Sequence, residues 1–197
     1  TTDIAIWSGG SIAHTSVLSL GGNHLTNDVA VGLRTPTDDA EKIKQKYGVA
    51  LASLVGHEET IEVASVGGRK ARTLSRAILA EILEPRIEEI FTLVKREIQK
   101  TGFEDLLASG VVITGGSALL PGTLELAEDV LGLPVRLGSP QGVGGLIDVV
   151  RSPMYATGVG LLQFGRYNGD VRARAMHGRN TYGKVRTRMR EWFSDMF

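Results

Sequence analysis

The sequence of 197 residues contains no cysteine, so disulfides, zinc thiolate sites and cysteine nucleophiles are excluded. Its apolar runs, such as Val159 to Leu162, fall far short of the ~20 residues that a membrane-spanning helix needs. The four histidines are scattered without metal-ligand spacing, and no Ser/His/Asp set or carboxylate pair stands out. We therefore predict a soluble globular protein with a cytosolic setting as the default.

The sequence also lacks an excess of charge of either sign, with 22 basic and 22 acidic residues. The distribution is nevertheless uneven. From Arg166 to Phe197 there are eight basic and three acidic residues, a net charge of +5, which leaves −5 on the preceding part of the chain. A basic tail of this kind indicates an anionic partner.

Strand and helix patterns alternate along the chain, which predicts an α/β layered fold. The expected hairpin pairs Asp3–Ser8 with Ser11–Leu18 across Gly9-Gly10. We expect a helix after Gly21-Gly22 that ends at Pro36. The remaining predicted elements are a helix N-capped near Asp38-Asp39, a strand Thr60–Val66, helices Thr73–Glu84 and Pro85–Lys100 separated at the proline, a strand Val111–Thr114, a helix Pro121–Leu131, a strand Val135–Leu137 and a helix Pro153–Phe164.

The C-terminal region divides into a polar stretch and an amphipathic stretch. Residues 166–183 are rich in Arg, Gly and Asn, which predicts a flexible linker. In residues 184–197, apolar side chains recur at helical spacing beside Arg and Lys, which is typical of a helix that lies on a membrane surface. The alternative is an end helix packed on the body. The residues predicted to meet the membrane are Val185, Arg186, Arg188, Met189, Trp192, Phe193 and Met196.

The glycine pair in V-V-I-T-G-G-S-A-L-L-P-G, at Val111 to Gly122, follows a strand and leads into a helix. Such a turn lets backbone N–H groups approach a phosphorylated ligand, although glycine also serves simple turns. Neither the P-loop pattern nor G-x-G-x-x-G is present. Instead the chain carries T-T-D at its start, A-E-K-I-K at Ala40, T-G-G-S-A-L-L-P-G at Thr114 and Y-A-T-G-V-G-L-L at Tyr155.

This ordered set resembles the second half of the actin/Hsp70/sugar-kinase ATPase superfamily, from residue 1 to about residue 165. The run G-G-N-H-L-T-N-D-V-A from Gly21, the V-G-G-R stretch from Val66, E-P-R from Glu84, S-P-M-Y-A-T from Ser152 and the basic terminal helix are similar to the FtsA family of bacterial cell-division proteins. The resemblance implies an actin-like, ribonuclease H-like core subdomain at 1–36 and 85–165, with a small inserted α+β subdomain at 37–84.

By the same resemblance, the ligand is ATP with magnesium. Thr1 and Thr2 would finish a phosphate loop, Glu41 and Lys44 would hold the ribose and adenine side, and Gly115, Gly116 and Ser117 would lie against the adenosine and its phosphates. For Glu41 and Lys44 alone, a surface ion pair is the simpler interpretation. Because the sequence begins at Thr1 without methionine, we expect an N-terminal portion to be missing, and with it the main magnesium contacts. We expect no enzymatic role and no ATP hydrolysis by this part alone.

The partners implied by the resemblance are the C-terminal peptide of the tubulin-like protein FtsZ, further copies of the chain in a filament, membrane lipids and later division proteins, but no nucleic acid. Arg86 and Glu89 would contact FtsZ, and the surface near Arg72 would affect self-association. The protein would be peripheral, at the division site on the cytoplasmic side of the inner membrane, and would anchor FtsZ filaments there. The alternatives are a scaffold of pilus assembly or cell shape similar to FtsA, and a small-molecule kinase of the same superfamily.

Overall fold

A hairpin opens the computed structural model, which describes residues 1–65, 67, 70–144 and 150–178, with side chains through residue 167. Strands β1 (Thr2–Ser8) and β2 (Ser11–Leu18) pair in antiparallel fashion, as predicted. Gly9 and Gly10 both have positive φ, which suits a two-residue turn between twisted strands. Ile6 faces the core, whereas Trp7, Ile12 and Val17 are more than half exposed.

Two helices follow where the apolar spacing predicts them. Helix α1 (Gly22–Leu33) buries Leu25, Val29 and Leu33 against its neighbours. Helix α2 (Thr37–Tyr47) is capped at its N-terminus by Pro36, so the predicted caps Asp38 and Asp39 are instead in its first turn. There the negative charges of Asp38 and Asp39 interact favourably with the positive end of the helix dipole.

The middle of the chain differs from its predicted pattern. Strands β3 (Thr60–Val63) and β4 (Arg72–Ser75) form an antiparallel pair, with Glu62 opposite Thr73. Helix α3 therefore begins at Arg76 rather than at Thr73, and Ser75 accepts a hydrogen bond from the backbone N–H of Ala77. The cross-strand partner determines this boundary, and local periodicity does not reveal it.

Helix α3 (Arg76–Thr101) is continuous through Pro85, so the predicted separation into two helices is wrong. A proline inside a helix costs about 3 kcal/mol. The buried stripe continues on both sides of it, through Leu79, Leu83 and Ile87. Each such side chain stabilises the fold by about 1.5–3 kcal/mol on burial, which outweighs the proline.

The last part of the fold contains a parallel strand pair. Strands β5 (Val111–Ile113) and β6 (Val135–Leu137) flank helix α4 (Thr123–Leu131), close to prediction. The alternation of strands and helices confirms the α/β class.

Helix α5 (Ala156–Gly178) corrects the predicted linker, because residues 166–178 are helical. Glycine and asparagine in this stretch favour a coil, but the run R-A-R-A-M-H from Arg172 consists largely of good helix formers. Within the described residues, no helix is both long enough and apolar enough to cross a bilayer. The predicted amphipathic segment 184–197 lies outside the described residues.

Helix α3 forms the centre of the core, packing against α1 and α4. The division into a core subdomain and an insertion at 37–84 stays a prediction, although its boundary falls within the continuous helix α3. The fold brings the start of β1, the N-terminus of α1, the middle of α2 and the loop after β5 to one side of this core.

Candidate nucleotide site

Among the predicted site residues that the structure describes, Lys44 is the most enclosed, with its side chain only 9% exposed. Its ammonium donates to the carbonyl of Gly22 at 3.2 Å, to the hydroxyl of Thr26 at 2.8 Å and to Glu41 Oε2 at 2.6 Å. An ammonium has three N–H donors, and all three are thus used. Lys44 joins α2 to the first turn of α1.

Glu41 is held from three directions. Its Oε2 accepts from Lys44 and from Thr26, and its Oε1 accepts from Gln45 at 2.7 Å. Burial alone would raise the pKa of Glu41, but the hydrogen bonds from Lys44, Thr26 and Gln45, with the charge of Lys44, lower it below its ordinary value. The carboxylate is therefore ionised at neutral pH. Because a carboxylate offers about four lone pairs, one acceptor position on Oε1 is left for a ligand.

The two glycines at the start of α1 allow several segments to meet. A Cβ atom placed on Gly21 would lie 2.7 Å from the carbonyl oxygen of Thr1. One placed on Gly22 would lie 2.7 Å from Ser117 Oγ and 3.9 Å from Lys44 Nζ. A side chain at Gly21 would collide with the backbone of Thr1, and one at Gly22 would require the Ser117 hydroxyl to rotate away. The start of β1, the start of α1, α2 and the loop after β5 therefore converge at this point.

The glycine loop after β5 adopts a conformation that requires glycine. Gly115 has φ +100°, and its N–H donates to the carbonyl of Pro153 at 3.1 Å. The Thr114 hydroxyl lies 2.9 Å from the carbonyl oxygen of Gly138 and 3.3 Å from that of Pro153, and its single proton is donated to one or shared between them. The turn before α5 thus supports the loop, and Ser117 at its end faces Gly22.

Four of the seven predicted nucleotide residues meet through the start of α1, namely Thr1, Glu41, Lys44 and Ser117. Gly115 and Gly116 belong to the same loop as Ser117. Thr2 is used differently, since its hydroxyl donates to the carbonyl of Leu20 at 2.8 Å. Thr26 and Gly22 are site residues that are not predicted from the sequence, although both belong to the G-G-N-H-L-T run that carries the resemblance.

The predicted FtsZ-contacting residues form an ion-pair cluster between α1 and α3. Arg86 donates from Nε to Asp28 Oδ2 at 2.6 Å, from Nη2 to Asp28 Oδ1 at 3.2 Å, and from Nη1 to Glu89 at 2.5 Å. The hydrogen bond to Asp28 is the main reason that the pKa of Arg86 is raised. Arg86 still has two further N–H groups, and its side chain is 29% exposed.

Arg72, the predicted self-association residue, reaches the other end of α1. Its guanidinium donates to the carbonyl of Leu33, at the last turn of the helix. The predicted membrane-facing residues from Val185 to Met196 lie outside the described residues.

Comparison with known proteins identifies a family. The family described as "Cell division protein FtsA" matches residues 1–160. A curated protein of that name from Pseudomonas aeruginosa is 55% identical over 165 residues, which is 84% of this chain and 40% of the relative. One from Neisseria meningitidis is 44% identical over the whole chain and 49% of the relative, and one from Escherichia coli K12 is 44% identical over 181 residues, or 87% of the chain and 43% of the relative. The chain thus spans about half the length of these relatives.

Solved structures show which fold this is. The chain superposes on MreB 5 of Spiroplasma citri bound to AMPPNP with a TM-score of 0.65, at 19% identity, over 88% of this chain and 52% of that one. The ADP-bound form of that protein gives a TM-score of 0.62. At this identity the likeness concerns the fold, which is actin-like. The family match and the identity to its curated members lead to one conclusion: the chain belongs to the FtsA family of bacterial cell-division proteins.

Proposed function

We propose that this chain supplies the adenosine side of an ATP-binding cleft in an actin-like division protein, which assembles on the membrane and anchors FtsZ filaments. One observation carries the nucleotide part: Thr1, Gly22, Lys44 and Ser117, from four separate segments, meet at the start of α1. The residues fit a nucleotide. Glu41 keeps an acceptor for a ribose hydroxyl, and glycine leaves the space that a Cβ would fill. The N-terminus of α1 favours a negatively charged group.

Binding of a fluorescent ATP analogue by the intact protein tests the nucleotide part. Lys44→Met removes the donor that holds Glu41 and α1 together, so we expect affinity to fall by about tenfold or more. Lys42→Met is the matched control, because Lys42 is on the same helix with its side chain 75% exposed and pairs only with Asp39 in the described structure. Equal affinity of the two variants would contradict the proposed site.

The FtsZ part of the proposal rests on the charge cluster of Arg86. The C-terminal peptide of FtsZ is acidic, and the two further N–H groups of Arg86 can donate hydrogen bonds to a carboxylate of that peptide beside Asp28 and Glu89. Arg86→Glu places a third acidic group in this cluster, so peptide binding should be lost. Arg96→Glu carries the same charge change on an exposed position of α3, about 15 Å farther along the helix, and should bind normally. Normal peptide binding by Arg86→Glu would rule out this face.

The membrane part concerns residues 184–197. Each basic side chain near an anionic leaflet contributes about 1 kcal/mol, so one short helix binds reversibly and a filament binds through many copies. Deleting 184–197 should abolish flotation of the intact protein with anionic vesicles, as should Trp192→Glu. Trp7→Glu, on the exposed face of the hairpin, is the matched control and should float. If the deleted protein floats normally, the tail is not the anchor.

Self-association near Arg72 completes the proposal. Because Arg72 holds the end of α1, Arg72→Glu should weaken ATP-dependent pelleting of filaments, whereas Lys70→Glu, also exposed, should not. Magnesium would accompany the bound ATP. The peripheral location at the division site and the recruitment of later division proteins follow from the same assembly.

A further inference from the structure

Thr26 lies at the centre of the Lys44 network and is 5% exposed. Its hydroxyl oxygen accepts from Lys44 Nζ at 2.8 Å. Its single proton is directed to Glu41 Oε2 or to the carbonyl of Gly22, 3.1 Å away. Among the described residues, Thr26 is therefore the one neutral side chain with hydrogen bonds to both Lys44 and Glu41.

Lys44 and Glu41 are three residues apart on one helix, and exposed ion pairs of this spacing ordinarily contribute little to stability. In this protein the pair has a third point of attachment on a different helix, because Thr26 belongs to α1. The hydroxyl fixes both the rotamer of Glu41 and the direction of the Lys44 ammonium. It also sets their distance from Gly22, which in turn faces Ser117.

We propose that Thr26 is a positioning residue of the nucleotide site, which orients the Glu41 carboxylate toward a ribose hydroxyl and holds Lys44 against the start of α1. This inference rests on the proposed nucleotide function. Thr26 itself contacts no ligand in this scheme; it acts through Glu41 and Lys44.

The chain offers a matched control in Thr35. Thr35 is 4% exposed, and its hydroxyl has no hydrogen-bond partner among the described residues. Thr26→Val and Thr35→Val make the same chemical change at two similarly buried threonines. Only the first removes contacts to the Lys44–Glu41 pair.

The first experiment measures the affinity of the intact protein for a fluorescent ATP analogue. Thr26→Val and Thr26→Ala should weaken binding by about tenfold, the loss typical of hydrogen bonds to charged groups. Thr26→Ser, which keeps the hydroxyl, and Thr35→Val should stay within about twofold of the parent protein. Thermal unfolding is measured for each variant to test whether it folds. If neither Thr26→Val nor Thr26→Ala folds while Thr35→Val does, the role is structural and the proposal is wrong.

The second experiment does not depend on nucleotide. A carbon-13 NMR titration of the Glu41 carboxyl measures its pKa, which burial alone would raise but the hydrogen bonds from Lys44, Thr26 and Gln45 lower. Thr26→Val should move its titration toward the ordinary glutamate range, and Thr26→Ser and Thr35→Val should not. Superimposable curves in Thr26→Val and the parent protein would overturn the positioning role. If the parent protein binds no nucleotide but Thr26→Val still changes the Glu41 titration as expected, the proposed nucleotide function is rejected and the effect of Thr26 on Glu41 is retained.

Discussion

At the level of single side chains, Glu41 and Lys44 have unequal surroundings within one ion pair. The carboxylate is 37% exposed, whereas the ammonium is enclosed. Their i, i+3 spacing could be read from the sequence, and so could their common flank of α2. The contacts that enclose Lys44 could not, because Thr26 and Gly22 are 18 and 22 residues away and meet it only through the packing of α1 on α2.

The lowered pKa of Glu41 makes stability depend on pH in a definite direction. A carboxylate whose pKa is lower in the folded state than in the unfolded state stabilises the fold at pH values above its unfolded-state pKa, near 4.5. This contribution is lost as the pH falls through the folded-state pKa. Glu41→Gln should therefore flatten the dependence of the unfolding free energy on pH between about pH 5 and pH 3. Urea unfolding at a series of pH values measures this. A slope in Glu41→Gln equal to that of the parent protein would contradict the prediction.

Arg34 is the one non-glycine residue with positive φ in the described structure, at φ 50° and ψ 52°. It ends α1, where its N–H bonds to the carbonyls of Ala30 and Val31. Glycine adopts this conformation without a Cβ clash, so Arg34→Gly should raise the unfolding free energy by about 0.5–1 kcal/mol. Arg34→Ala keeps the clash and should give no such gain in a denaturant titration. A gain from alanine equal to that from glycine would show that backbone strain is not the cause.

Among the helices and strands, those with strong local signals were predicted well. The hairpin has its glycine turn, and β6 and α4 have clear apolar spacing with boundaries marked by glycine and proline. Strand β4 was missed because Arg72–Ser75 has little pattern of its own and pairs with β3. The helical state of residues 166–178 is not predicted because glycine and asparagine, which favour a coil, lie among the good helix formers of this stretch.

Pro85 offers a direct test of the continuous helix α3. The proline removes one backbone hydrogen bond inside a helix that is buried on both sides of it. Pro85→Ala should raise the unfolding free energy by about 1–3 kcal/mol, as measured by denaturant unfolding. Glu88→Ala, one turn farther and also exposed, should change it by less than about 0.5 kcal/mol. A destabilised Pro85→Ala variant would mean that a bend at this position is needed for packing.

For the molecule as a whole, the charge difference between body and tail predicts that the proposed membrane binding is sensitive to salt. The net charge of +5 in residues 166–197 attracts an anionic surface, and this attraction is screened over about 8–10 Å at physiological salt. Binding to vesicles that contain phosphatidylserine should weaken several-fold when the salt concentration rises from about 50 to about 500 mM, because the Debye length then shortens about threefold. Co-sedimentation measures this, with zwitterionic vesicles as the control. Salt-independent binding would point to the apolar face of the tail alone.

Helix α1 lies beside three of the proposed interaction regions within about 18 Å. Its first residue receives Lys44, its middle carries the partner of Arg86, and its last turn receives Arg72. Substitutions at sites that share no partner and lie more than about 7–10 Å apart usually have additive energies. Double-mutant cycles that combine Lys44, Arg86 and Arg72 therefore measure whether α1 transmits a change from one region to the next: additive energies mean three independent contacts, and coupling above about 0.5 kcal/mol means that the helix responds as one unit.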